Sequence, residues 1–293
     1  MTARAEPELP PDLPPDAPAA LPYRLRWRPR GERPGAHPAR GEGGDGTFRG
    51  LLPLIARPDP RRIDLRASLR DPFEAIHVRT FAPRRAMTVA VLADVSASMA
   101  FDGVREATAE LAATLAASAV AGGDAFALVA ADAEARDDID LPASRRRGMA
   151  QEVRARLLSA PFTGRSAGGL GDAAARLPQR RCLVFLVSDF LLPADDLAGL
   201  LDTLWRHDVV PVVLRDSRAE GDLPAFGLIE ARDAETGGRR LVFMRPSLRE
   251  RWRVEARNRI TALEDLFAGR GLGAFHLSDR FDADVLADFL AHR

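Results

Sequence analysis

The sequence predicts an α/β domain in which a doubly wound, mainly parallel central sheet is flanked by helices, with a disordered Pro/Arg-rich tail in front. Three observations predict it. Short, almost wholly apolar runs such as Val89-Ala-Val-Leu-Ala93 and Cys182-Leu-Val-Phe-Leu-Val187 have the make-up of strands buried on both faces. Segments of helical periodicity alternate with these runs, the order that places a parallel sheet between two helical layers. Ten of the 22 prolines fall between residues 7 and 38, among Ala, Arg, Gly and acidic residues, a mixture that buries too little apolar surface to offset its ordering entropy.

Taken in order, residues 1–45 read as the disordered tail. Within it, residues 23–33 (YRLRWRPRGER) set Tyr23 and Trp27 among arginines, which fits a short hydrophobic anchor onto the domain or a contact for an acidic partner. Residues 46–85 form a lead-in segment packed on the domain, and 86–293 form the domain itself. Strands are expected at 88–94, 125–130, 182–187, 209–214 and 273–277. Helices are expected at 104–120, 150–159, 171–177, 197–207, 248–268 and 283–291. Ser247-Leu-Arg-Glu250 has the form of a capping box, hydroxyl and carboxylate each satisfying an orphan backbone donor, and so marks a helix start. Apolar runs at 227–231 and 240–244 flank Glu235-Thr-Gly-Gly238, a hairpin insertion near 227–245.

Composition removes several chemistries. Lys+Arg and Asp+Glu are 42 each, so the whole-chain field makes no case for nucleic acid or an acidic surface. The sequence contains no lysine, which excludes Schiff-base chemistry and the Walker A lysine. One cysteine excludes an intrachain disulfide framework. No apolar run approaches the ~20 residues that span a bilayer, and the first residues lack a secretory apolar region; no membrane insertion and a cytoplasmic location are expected.

The candidate chemistry lies where the first apolar run ends. In open α/β sheets ligands bind beyond the carboxyl ends of strands, where strand order reverses. Val89-Ala-Val-Leu-Ala93 runs into Asp94, Ser96 and Ser98, and the run at 182–187 ends in Ser188-Asp189. Two carboxylates at adjoining strand tips repel unless one is protonated or a cation lies between them. Oxygen donors, two of them neutral hydroxyls, suit a hard ion, Mg²⁺ or Mn²⁺, rather than zinc. The competing reading is an ordinary loop in which Asp94 caps the helix starting near Asp102. The five histidines show no metal-ligand spacing, Cys182 lies within an apolar strand, and neither serine is in a G-x-S-x-G elbow.

Asp94-x-Ser96-x-Ser98, followed by an amphipathic helix and a second strand-terminal Asp, resembles the metal-ion-dependent adhesion site of von Willebrand factor A domains. The resemblance implies Asp94, Ser96, Ser98 and Asp189 as metal ligands, Asp189 often acting through water. The family's second loop supplies a Thr, whereas residues 161–172 read PFTGRSAGGLGD and put Gly168 at that place. Ser166 or Thr163 is the expected substitute. Upstream, residues 59–81 (DPRRIDLRASLRDPFEAIHVRTF) resemble the D-x-R-x-I-D-W segment of the bacterial family called domain of unknown function fifty-eight, with Leu65 in the place of Trp. The Glu235-Thr-Gly hairpin also resembles that family, so the likeness covers roughly 48–290. It implies proximity to MoxR-type AAA+ ATPases and a part in maturing or activating other proteins; a methylotroph, MxaS-like branch is tied to methanol dehydrogenase.

Two functions are therefore expected to compete. In the first, the chain is not an enzyme, and a metal-bearing site binds an acidic residue of a partner, a MoxR-type ATPase or its client. In the second, Asp94 serves a Mg²⁺-dependent phosphoesterase or phosphotransferase. Such enzymes usually carry an acid/base Asp two residues further on, where this chain has Ser96.

Overall fold

The computed structural model describes residues 21, 23, 25–29, 33–39, 46–100, 103–215, 224–232, 238–278 and 280–293. The chain enters through β1 (Pro34–Pro38), β2 (Thr47–Pro53), the single helical turn α1 (Leu65–Ser68), β3 (His77–Ala82) and β4 (Arg84–Arg85). β1 pairs with β4 and β2 with β3, both antiparallel. The apolar runs then form β5 (Thr88–Asp94), β6 (Ala125–Ala131), β7 (Leu141–Ser144), β8 (Leu183–Ser188) and β9 (Asp208–Arg215). A hairpin of β10 (Gly227–Arg232) and β11 (Arg239–Met244) follows, and β12 (Phe275–Ser278) completes the main sheet. Its order is β12-β9-β8-β5-β6-β7, parallel except for the antiparallel edge strand β7.

Between these strands run α2 (Val104–Ala121), α3 (Met149–Ser159), α4 (Leu170–Ala175), α5 (Ala194–Thr203), α6 (Pro246–Gly269) and α7 (Ala283–His292). α2, α3 and α7 cover one face of the sheet, and α4, α5 and α6 cover the other. Every residue of β6 and of β8 is buried, which is why their sequences lack the apolar/polar alternation of a one-faced sheet. α2 is buried along most of its length. Its two mid-helix hydroxyls are satisfied internally, Thr108 Oγ1 donating to Val104 O at 2.8 Å and Ser118 Oγ to Thr114 O at 2.6 Å.

The main strands and helices lie within a few residues of their expected bounds, with three corrections. The capping box at Ser247 and Glu250 does not form: α6 starts two residues earlier, with Arg245 at the N-cap and Pro246 at the first helical position, where its missing N–H costs nothing. The tail boundary near 45 is too late. β1 belongs to the ordered structure, and Tyr23, Leu25 and Trp27 pack on the α2 face as the expected hydrophobic anchor. Residues 1–20 lie outside the described residues, as do 233–237, which include Glu235-Thr-Gly237 of the expected turn. The lead-in segment is also two pieces, β4 held by β1 and a β2–β3 ribbon that packs chiefly with α1 and the turn before it.

The anchor is polar as well as apolar. Leu21 N donates to Ser118 Oγ at 2.8 Å, and the fully buried Asp124 gathers the rest. Its Oδ1 accepts from Met87 N at 2.8 Å, and its Oδ2 accepts from Tyr23 Oη at 2.5 Å and sits 2.6 Å from His37 Nε2. Burial, with the Asp124 carboxylate beside it, pushes the Tyr23 hydroxyl far up from its ordinary range, so it stays a donor. Asp124→Ala orphans these buried donors and is expected to destabilise the chain by about 3–5 kcal/mol in urea unfolding, with residues 21–39 opened to limited proteolysis. Tyr23→Phe, which leaves the other contacts in place, is expected to cost about 1 kcal/mol.

Candidate functional site

The chain fills β5 first, passes to β6 on one side, then returns to β8 on the other, so strand order reverses between β5 and β8. The crevice above their carboxyl ends is where a doubly wound sheet binds ligands. Asp94, the last residue of β5, stands in it with no solvent exposure. Its Oδ1 accepts from Ser96 N at 2.9 Å, which turns the chain sharply out of the strand. A 3₁₀ turn at Ala97–Ala100 then brings the hydroxyls of Ser96 and Ser98 within 3.1 Å of each other, both buried. Asp94 therefore caps nothing of α2, whose first turn is closed by Gly103 N donating to Glu106 Oε2 at 3.1 Å.

The loop before α4 holds this turn down. Ala97 N donates to Gly164 O at 2.8 Å, and Ser96 bridges Gly164 in parallel. Gly164 lies so close to Asp132, just past the tip of β6, that a Cβ there would stand 2.2 Å from the Asp132 Cβ. Only glycine fits that contact.

The tip of β8 supplies the other wall. Ser188 Oγ donates to Asp94 Oδ2 at 2.7 Å and accepts from Phe190 N at 2.9 Å. Phe190 adopts a left-handed backbone (φ 53°), an unfavourable conformation for an aromatic residue, and its buried ring meets Phe267 of α6 edge to face at 5.2 Å. That packing holds Asp189 between Ser188 and Phe190 at the rim, half-buried, its Oδ1 accepting from Leu191 N at 2.9 Å. Burial, and next the negative charge of Asp189, push the Asp94 carboxyl up to about 6. Among the described residues no arginine or histidine pairs with Asp94 or Asp189.

The structure thus brings together Asp94, Ser96 and Ser98, with Asp189 close enough to act on Asp94. Ser166 is half-buried and Thr163 exposed in the neighbouring loop; neither hydroxyl bonds to that cluster. Ser166 Oγ instead accepts from Gly168 N at 3.4 Å and lies 3.5 Å from where a Cβ on residue 168 would be. Reasoning from sequence missed Ser188, Asp132 and Phe190. Asp132 follows the same strand-end rule as Asp94 and was findable; the partnership of Ser188 with Asp94 depends on strand pairing and was not. Cys182 is buried, its thiol pushed up to about 12 by that burial, so it is held as an unreactive thiol. Among the described residues no group of three His, Cys, Asp or Glu side chains gathers to hold a metal; the oxygen cluster here contains two carboxylates, and its other donors are hydroxyls.

Fold and site together define a doubly wound α/β domain with an Asp/Ser oxygen cluster at its switch point. The chain belongs to the family described as Protein of unknown function DUF58, which matches residues 58–262. It is similar to the "Uncharacterized protein in moxR 3'region" of Paracoccus denitrificans, 43% identical over 101 residues that cover 34% of this chain and 96% of that protein. An uncharacterized protein of Mycobacterium tuberculosis is 29% identical over 243 residues, 79% of this chain and 74% of that one. Among solved structures, an aerotolerance-related membrane protein from Bacteroides fragilis matches at 15% identity, covering 71% of this chain and 97% of that chain, with a TM-score of 0.40. The conserved hypothetical protein BatB from Bacteroides thetaiotaomicron matches at 11% identity over 71% and 100% of the two chains, also with a TM-score of 0.40.

The Asp94 carboxyl gives a pH signature. With a folded pKa of about 6, above the unfolded value near 3.9, the native state binds the extra proton between these values. This group therefore stabilises the fold fully below about pH 4 and loses that contribution as pH rises through about 6. Without divalent cations, Asp94→Asn is expected to gain about 2–3 kcal/mol on the wild type between pH 4 and pH 7, read from urea unfolding at each pH.

Proposed function

We propose that this chain is a non-catalytic binding module in which Asp94, Ser96 and Ser98, closed by Asp189, hold a hard divalent cation, Mg²⁺ or Mn²⁺, and through it capture an acidic side chain of a partner. The observation that carries this reading is the convergence of anionic and hydroxyl oxygens at the switch point with no cationic side chain among the described residues to neutralise them. The donor set is all oxygen and includes neutral hydroxyls, which fits a hard ion. When bound, the cation supplies an open coordination position to an incoming carboxylate.

The protein's own residues do the rest. Asp94 brings the one fully buried charge, fixed by the donors Ser96 N and Ser188 Oγ. Ser96 and Ser98 add oxygens without adding charge, which keeps the site electrophilic enough to attract an external acid. This arrangement is like the metal-ion-dependent adhesion site of von Willebrand factor A domains. Ser166, beside the place where that family has its Thr, is the proposed second-loop ligand in preference to the exposed Thr163. We propose no catalytic step, because Ser96 stands where a phosphotransfer enzyme needs an acid/base and a serine hydroxyl is a poor general acid or base near neutral pH.

The proposed partner is a MoxR-type AAA+ ATPase or the protein it acts on. Supporting it is the description of the Paracoccus denitrificans relative as lying in the moxR 3′ region. Saturating Mn²⁺, at a hundred times its dissociation constant, is expected to stabilise the wild type by about 2.7 kcal/mol and Asp94→Ala not at all. Ser166→Ala is expected to weaken Mn²⁺ binding by about tenfold or more in calorimetric titration, and Thr163→Ala to leave it unchanged. Capture of the MoxR-type ATPase of the same genome is expected to fail in EDTA and in Asp94→Ala; capture unchanged in both contradicts the reading.

A further inference from the structure

We propose that the knob at the far end of the β2–β3 ribbon docks onto the surface of an anionic lipid membrane. The ribbon joins the body where Thr47 pairs with Ala82, just before β4 leads into the amino end of β5. Its other end, where Pro53 pairs with His77, lies about 20 Å of strand away. There the chain folds back on itself: Leu54 N donates to Ile76 O at 2.6 Å, Asp64 N to His77 O at 2.8 Å, and His77 N to Ser68 Oγ at 2.9 Å. The inner side of this knob is filled by Val78, which is fully buried.

The outer side is apolar. Ile55, Leu65, Leu69 and Phe73 are 72–95% exposed, and Ile76 joins them at 46%. All five come from the turns that cap one end of one ribbon, and Leu65 and Leu69 lie one helical turn apart. So dense an exposed apolar group marks an interaction surface. Its charge says what it meets. Asp59 and Asp64 are paired within the knob with Arg62 and Arg79, Asp71 lies 2.5 Å from His77 Nε2, and each of the three also accepts a backbone N–H. Arg61, Arg66 and Arg70 are exposed and have no ion pair among the described residues, against one exposed unpaired carboxylate, Glu74. The knob therefore offers large exposed apolar side chains together with free arginines. A bilayer interface accepts that combination without a shaped pocket, the apolar groups entering the acyl boundary while the guanidinium groups stay among anionic headgroups. No helix among the described residues is long and apolar enough to cross a membrane, and the contact proposed is peripheral.

The test is co-sedimentation of the full chain with vesicles of phosphatidylglycerol or of phosphatidylcholine. The wild type is expected to sediment with the former and about tenfold more weakly with the latter. Leu69→Ser/Phe73→Ser is expected to weaken binding about tenfold or more through lost apolar burial, and Arg66→Gln/Arg70→Gln to weaken it by a similar factor, with thermal melts showing that both variants fold. Leu228→Ser/Phe243→Ser, which alters the exposed face of the β10–β11 hairpin instead, is expected to sediment like the wild type. Failure of the wild type to sediment with phosphatidylglycerol overturns the proposal, including the case in which the knob captures an acidic protein instead. Knob variants that sediment like the wild type overturn it equally.

Discussion

A carboxylate without solvent, facing a second carboxylate and no protein cation among the described residues, is the constraint around which the rest of this structure is arranged. Asp94 is placed by the doubly wound order of the sheet, which puts the tips of β5 and β8 side by side. Its orientation is held from both sides, by a backbone amide of its own turn and by the hydroxyl of Ser188. The turn is in turn pinned by Gly164, and the β8 tip by Phe190 packed on Phe267 of a helix that begins more than fifty residues further along the chain. So much structure spent on a group whose ionised form is disfavoured makes sense when the site is completed by a ligand, since strain and desolvation concentrate where function needs them.

Much of this was legible in the sequence, for identifiable reasons. The central strands announce themselves because burial on both faces requires unbroken apolar runs, and Asp94 is conspicuous because it ends one of them. Ser96 and Ser98 stood out from their alternation past that strand and from the resemblance of Asp94-x-Ser96-x-Ser98 to an adhesion-site motif. What was not legible depends on long-range pairing. Ser188 reads as one more strand residue until β8 is placed beside β5. Asp124 reads as a loop acid until Tyr23 and His37, some ninety to a hundred residues away, are seen to close on it. The capping box at Ser247 failed for a local reason: Pro246 is the better first helical residue, and once the helix begins there Ser247 is inside it. β7 is short and antiparallel, with only Leu141 buried, so its pattern carried little signal.

The molecule is also bipolar. The oxygen cluster lies at the carboxyl end of the sheet, and the β2–β3 ribbon leaves from the region of its amino end. α6 extends the carboxyl end further: its buried residues are Leu263 and Phe267, late in the helix, so its first turns and the hairpin before it stand largely in solvent. A module built in this way has separate ends for separate contacts, and Tyr23 and His37 meet Asp124 at the amino end, away from the candidate site.

The most direct test of the central claim is a crystal structure of the chain grown with Mn²⁺, with anomalous scattering collected at the manganese edge. The account predicts one strong peak bounded by the carboxylate of Asp94 and the hydroxyls of Ser96 and Ser98, with Asp189 at its rim. Manganese bound elsewhere, or a saturated crystal with Asp94 still bonded to Ser188 and no peak beside it, would contradict it.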